Sequence, residues 1–257
     1  MKVVQVVLDV PLPRRFDYLA PDATTEDIGL RTQVPFGTGT KVGVIVDVID
    51  HSEQPADKLK AVGAILRDMP PLPPEWMALT DFCARYYQHP WGEVVSFALP
   101  PMLRRGKLPR RVKDAPRSDT PPPAPPTLHA EQQAAVAAIL GVGGFQPFLL
   151  HGVTGSGKTE VYLHAIAEVL AQGKQALMLV PEIALTPQLE GRVAARFPQA
   201  RIVAAHSGVA DAARARGFLD ALEGRADIVL GTRLSVFMPL PRLGLIVVDE
   251  EHDASFK

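Results

Sequence analysis

Cysteine is nearly absent. Cys83 is the only one in 257 residues, so no disulfide framework can form and no cysteine cluster can hold zinc. A long apolar run is missing too. Nothing approaches the ~20 residues that a membrane helix needs, and the N-terminus is apolar for only a few residues before Asp9, too few for a signal peptide. The expectation is a cytoplasmic chain with no membrane contact. A charge excess is also lacking: 27 Lys and Arg stand against 28 Asp and Glu. Bulk charge therefore does not announce a nucleic-acid binder. The basic excess is local, with seven basic residues and one acid, Asp114, between Arg104 and Arg117.

What is present falls into two textures. Residues 3–66 read as β: residues 3–8 are rich in valine, and Val42, Val44, Val46 and Val48 alternate as one strand face. Residues 75–88 read as a helix, with Trp76, Leu79, Phe82, Cys83 and Tyr86 at helical spacing. Residues 100–126 are rich in proline and read as an extended, semi-rigid linker. Its basic residues are either solvated or contact phosphate. From 127 onward, helices (131–140, 160–172, 187–197, 210–222) alternate with strands (148–150, 176–180, 201–205, 228–230, 245–248). Such alternation implies βαβ units and a parallel sheet covered on both faces. The fold class is α/β: a mainly-β domain over 1–99, a linker over 100–126, and a doubly wound P-loop lobe over 127–257.

The sharpest motif is Gly152-Val153-Thr154-Gly155-Ser156-Gly157-Lys158-Thr159. It satisfies G-x-x-x-x-G-K-[ST] between an apolar segment and a helix, the context that an ATP site requires. Its glycines let backbone N–H groups approach phosphate oxygens. The helix beginning near Lys158 turns its positive end toward them. Lys158 would reach the β- and γ-phosphates, and the Thr159 hydroxyl would ligate Mg²⁺. The second half of the site is residues 245–252, where an apolar strand delivers Asp249, Glu250, Glu251 and His252 at its C-terminal end. Asp249 would orient the Mg²⁺ and Glu250 would polarise water. An Asp-Glu-x-His strand end is typical of superfamily 2 helicases and rare in kinases.

Weaker signals fit the same picture. Thr186, Thr232 and Arg233 lie in loops after strands, where they would donate to a single-stranded DNA backbone. Singly, each reads as a turn with a capping Thr, and so does His206-Ser207-Gly208. Gln132, about 20 residues before the P-loop, could read the adenine edge.

Together, residues 152–160, 179–188, 231–237 and 245–253 resemble the family of the bacterial primosomal replication-restart helicase PriA (primosomal protein N′). Residues 10–18, 34–37, 60–62 and 86–90 resemble that family's small β domain. The resemblance implies a RecA-like lobe and a pocket for the free 3′ end of a nascent strand, formed by Phe16, Asp17, Tyr18, Gly37 and Lys60. An aromatic would stack on the terminal base, Asp17 would accept from base or 3′-OH, and Lys60 would meet phosphate. Read from the residues alone, Phe16 and Tyr18 are alternating core positions of a strand. The resemblance further implies ATP and Mg²⁺ as cofactors, a monomer, 3′-to-5′ movement, and action at abandoned forks to reload the replicative helicase. Forked and single-stranded DNA, single-stranded-DNA-binding protein and primosome proteins are the implied partners. Two departures are expected. Only the proline-rich stretch stands where the family has a winged helix. The second lobe, its arginine finger and the zinc-binding cysteines are not in these 257 residues, so the nucleotide lobe reads as incomplete and as unable to complete turnover alone.

Overall fold

The computed structural model describes residues 2–55, 57–110, 121–122, 124–153 and 155–256. They divide into two units. One gathers the described parts of 1–112, 208–223 and 237–241, and the other holds the rest.

The first unit is built on an antiparallel sheet of order β2-β1-β4-β3-β5. Its strands are β1 (Val3–Leu8), β2 (Phe16–Leu19), β3 (Arg31–Phe36), β4 (Gly39–Ile49) and β5 (Ala64–Leu66). Alternation sends Val4, Val6, Phe16, Tyr18, Val34 and Ile45 into one core. The opposite face, with Val7 and Val44, packs under α1 (Pro74–Tyr86), α2 (Trp91–Ala98) and α3 (Pro101–Arg104). The β1–β4 register shifts between Gln5 and Val6, where Gln5 pairs with Asp47 and Val6 with Ile45. Val46 is thus the extra residue of a bulge, and a bulge changes which face the following residues take. Val44 and Val46 lie under the helices, whereas Val48 packs on the other core. The four valines do not share one face as their spacing predicts.

The stretch read as linker begins folded. Pro101 occupies the first turn of α3, where a missing N–H costs nothing and φ is preset. Leu103 follows, fully buried. A buried guanidinium fastens α3 to the sheet: Arg31 is 0% exposed, donates to the Leu103 carbonyl at 2.8 Å and to the Asp68 carboxylate at 2.6 Å. The basic residues Arg111, Lys113 and Arg117 lie outside the described residues.

Helix α7 (Asp211–Leu222), which the helix–strand alternation places among the helices of the P-loop lobe, packs with the first unit. Its apolar face explains this. Phe218 meets Trp76 edge to face with centroids 6.4 Å apart, and Ala215 and Leu222 share that core. The Trp76 indole donates to the Phe237 carbonyl at 2.7 Å.

The second unit is a parallel sheet of order β7-β8-β6-β9, from β6 (Gln175–Leu179), β7 (Ile202–Ala205), β8 (Ile228–Gly231) and β9 (Leu243–Val248). Helices α4 (Ala130–Leu140), α5 (Lys158–Ala171) and α6 (Pro187–Arg196) complete it. Leu163 and Ile166 of α5 pack on Met178 and Leu230. Buried Gln175 ties the strand starts together, donating to Ala226 O at 2.6 Å and accepting from Arg242 N at 2.8 Å. Residues 148–150 form no strand. An extended segment holds its shape only where a neighbour takes its backbone hydrogen bonds, and among the described residues none does. Phe148 and Leu149 are exposed, as are Ile246 and Val248 on the edge strand β9.

Two glycines separate packing from propensity. A Cβ on Gly92 would lie 1.8 Å from Leu8 O, whereas one on Gly191, inside α6, would meet nothing. Gly92→Ala should destabilise the chain by about 2 kcal/mol or more. Gly191→Ala should stabilise it by roughly 0.5–1 kcal/mol. Urea unfolding midpoints check both.

Candidate functional site

The loop before α5 is shaped by left-handed glycines. Gly155 has φ +83° and Gly157 φ +81°, values that a residue with a Cβ rarely adopts. Gly157 is the N-cap of α5 and offers no side chain, so no side-chain cap satisfies the helix's first N–H groups. Ser156 closes the turn, donating its N–H to Val153 O at 3.1 Å. Lys158 curls over the loop: its ammonium donates to Gly152 O at 2.8 Å and to Val153 O at 3.4 Å. Thr159 follows, half-buried. Thr154 lies outside the described residues.

Gln132 is placed against this loop. Its amide nitrogen is 3.3 Å from Ser156 O and 3.4 Å from Gly157 O, and its Oε1 accepts from His129 N at 3.1 Å. The side chain joins α4 to the P-loop backbone. A Cβ at Gly157 would sit 2.4 Å from the Gln132 amide nitrogen, so glycine there serves both φ and this approach.

The carboxylates arrive from β9. The Asp249 N–H donates to Leu179 O at 2.9 Å, extending the β6–β9 ladder one residue past the strand. Glu250 stands at φ +49°, a left-handed conformation that costs a non-glycine residue about 1 kcal/mol. Its N–H turns back to Asp249 Oδ1 at 3.2 Å, and its carboxylate meets His252 at 3.6 Å. Burial raises the Asp249 pKa, and the Glu250 charge adds to this. A hydrogen bond from Tyr162, the Glu250 N–H and the charge of Lys158 oppose it. Burial likewise raises the Tyr162 pKa, so its hydroxyl stays protonated and donates.

These residues fit a nucleotide with a divalent cation. The uncapped helix end and an ammonium bonded only to carbonyls suit phosphate. Two crowded carboxyls, one with a raised pKa, suit a cation whose charge would relieve their repulsion.

Tyr162 was not singled out from the sequence. The available signal is its position four residues after Lys158, on the same helix face. Glu160 accepts from Arg192 at 2.6 Å, and its other oxygen is buried without a partner.

The residues expected at a DNA end divide. Phe16 is 8% and Tyr18 5% exposed. Phe16 packs edge-on to Phe36, with the Arg14 guanidinium over its ring at 4.9 Å. The Tyr18 hydroxyl donates to Pro35 O at 3.1 Å. Alternation turns both rings into the core, so neither presents a face to a base. Asp17, between them, faces outward and accepts from Gln5 at 3.1 Å and Ser52 at 2.5 Å. Lys60 is exposed and is brought beside β2, because its carbonyl accepts from Leu19 N at 2.9 Å. Gly37, at φ +58°, forms the exposed β3–β4 hairpin turn. Gln5 and Ser52 are partners that no local pattern points to; strand pairing brings them in.

Among the loop residues of the second unit, Thr186 caps α6 by accepting from Leu189 N at 3.3 Å. Thr232 is 8% exposed and Arg233 is exposed. Two of the three expected phosphate donors are thus a helix cap and a buried turn residue.

Comparison with known proteins follows this division. Residues 5–100 match the family model described as a 3′ DNA-binding domain of PriA. Residues 129–257, half of the chain, match the DEAD/DEAH box helicase model. The chain belongs to the DEAD/DEAH box helicase family. Its relatives include the replication restart protein PriA of Haemophilus influenzae, 35% identical over 330 aligned residues that cover 100% of this chain and 45% of that protein. The Treponema pallidum protein of that name is 37% identical, covering 99% of this chain and 39% of its own length. The Rickettsia conorii protein is 35% identical, covering 100% and 38%. The chain thus spans less than half the length of these relatives. Membership of a helicase family implies use of ATP and Mg²⁺, which the P-loop and Asp249 suit. No helix among the described residues is long and apolar enough to cross a membrane.

The strained carboxyl pair has a testable cost. The raised pKa means that the folded chain holds the Asp249 proton more tightly than the unfolded chain does. Ionising Asp249 therefore destabilises the fold, and stability falls as pH rises from the ordinary carboxylate value through the raised one. Asp249→Asn should melt at a higher temperature than the parent at neutral pH without nucleotide. The gap should close as pH falls toward about 4. Thermal melts across pH check this, and a variant no more stable than the parent at neutral pH would contradict it.

Proposed function

We propose that this chain is the DNA-end-binding and nucleotide-binding portion of an ATP-dependent helicase. That helicase moves 3′ to 5′, recognises abandoned replication forks and initiates primosome assembly. The observation that supports the reading most is the uncapped N-terminus of α5 beside Lys158, in a chain whose other unit matches a 3′ DNA-binding domain. The N–H groups around Gly155, Gly157 and Lys158 bind phosphate oxygens. Lys158 exchanges its carbonyl partners for the β- and γ-phosphates. The Thr159 hydroxyl and Asp249 are the groups that would hold Mg²⁺, and the ion would supply charge neutralisation for the phosphates. Glu250 orients the attacking water, and Tyr162 holds Asp249 in place. Gln132 anchors the loop from α4 and borders the nucleotide.

On the first unit, Asp17 and Lys60 are the groups that meet the 3′ terminus, with Gly37 at the rim. Phe16 and Tyr18 set the strand that carries Asp17. Thr186, Thr232 and Arg233 line the path of the single strand, with Arg233 as the phosphate contact. Single-stranded-DNA-binding protein and primosome proteins are the partners, acting on a monomer in the cytoplasm.

A second reading, binding of nucleotide and DNA without turnover, draws on the coverage of less than half of the relatives' length. Hydrolysis in P-loop enzymes commonly needs an arginine from outside the P-loop lobe. Phosphate release by the chain with saturating single-stranded DNA decides between the two.

Lys158→Ala should weaken binding of a fluorescent ATP analogue by at least ~10-fold, as titration would show; unchanged affinity would remove the nucleotide site. Asp17→Ala should abolish any preference for forks with a free 3′-OH over forks with a blocked 3′ end. Anisotropy titrations with both forks measure this, and a preference that survives would move the end pocket elsewhere.

A further inference from the structure

Glu160 stands in the first turn of α5, where its N–H donates to the Gly157 carbonyl at 3.0 Å. A glutamate three residues after the N-cap ordinarily reaches back to the N-cap N–H and closes the helix end with its own carboxylate. Here it does not. Its Oε1 accepts from the Arg192 guanidinium of α6 at 2.6 Å, and no side chain caps α5. We propose, on the nucleotide reading of α5, that Arg192 is a positioning residue: it holds the Glu160 carboxylate against α6 and so keeps the N-terminus of α5 open for the nucleotide phosphates.

The Gly157 N–H, which a reaching carboxylate would take, makes no hydrogen bond among the described residues. The carboxylate is no better served where it lies. Its Oε2 is buried with no hydrogen-bond partner, and a buried acceptor without a donor is costly. Acceptor and donor lie one helical turn apart, so each would satisfy the other if the carboxylate turned back. The ion pair with Arg192 opposes that turn. A carboxylate on the helix end would occupy a donor that phosphate uses and would set a negative charge where the phosphates bind. Arg192 thus governs the site without touching the ligand. The seating of α6 does not depend on this pair, because Leu189 and Val193 join the core that holds Leu163 of α5. The pair is therefore more than a brace between two helices.

The test uses the whole chain with Arg192→Ala, Glu160→Ala, the two together, and Arg192→Lys. Thermal melts establish that the variants fold; should Arg192→Ala not fold, Arg192→Gln carries the same readouts. The first readout is amide hydrogen exchange at Gly157 by NMR, without nucleotide. The second is titration with a fluorescent ATP analogue. Arg192→Ala should slow the Gly157 exchange by about threefold or more and weaken analogue binding by about three- to tenfold. Adding Glu160→Ala should restore both to the parent values, because the competing carboxylate is gone. Glu160→Ala alone and Arg192→Lys should behave as the parent does. The proposal is overturned if Arg192→Ala leaves the Gly157 exchange unchanged. It is overturned equally if Glu160→Ala and Arg192→Ala weaken binding alike with no recovery in the double variant, the result that a structural brace gives. If the parent binds no analogue while the Gly157 exchange slows in Arg192→Ala and recovers in the double variant, the nucleotide reading fails and the hold of Arg192 on Glu160 stands.

Discussion

The N-terminus of α5 is a helix end with no side-chain cap, and the second unit is organised around it. Gly157 in the capping position, at φ +81°, offers the first N–H groups no side-chain acceptor. The Lys158 ammonium donates to the Gly152 and Val153 carbonyls of the loop. The Gln132 amide holds that loop from α4. Asp249 is delivered opposite by a ladder bond that fixes its backbone. A positive helix end, a restrained ammonium and two crowded carboxyls are each unfavourable alone. Together they suit a polyphosphate with a divalent cation, and the left-handed backbone at Glu250 is strain of the kind that concentrates at such places.

The first unit solves a different problem, covering one sheet on both faces. One core is self-contained between strands. The other needs α1, α2, α3 and α7, and Arg31 is the polar pin that fixes α3 against β3. That pin carries a guanidinium beneath the helices, where the Leu103 carbonyl and the Asp68 carboxylate hold it.

Much of this is legible in the amino-acid sequence itself. The P-loop spacing and the Asp-Glu strand end depend on contiguous residues, so the motif and its helix follow directly from the chain. Period-two alternation marked β4 and helical spacing marked α1. What was not legible depends on pairing across distance. The bulge at Val46 arises from how β4 meets β1, so the valine pattern could not reveal it. Residues 148–150 are apolar enough for a strand, yet strand formation needs a neighbour that the pattern does not report. Phe16 and Tyr18 read as core by alternation and as a stacking platform by resemblance; burial favours the alternation. Tyr162 and Ser52 acquire roles only through the partners that folding gives them.

The most direct test of the central claim is a crystal structure of the chain with Mg²⁺ and a non-hydrolysable ATP analogue. The expected result keeps the loop's shape while the Lys158 ammonium leaves the Gly152 and Val153 carbonyls for phosphate oxygens, and Asp249 lies beside the cation. A nucleotide bound elsewhere, or an ammonium still on those carbonyls, would contradict the account.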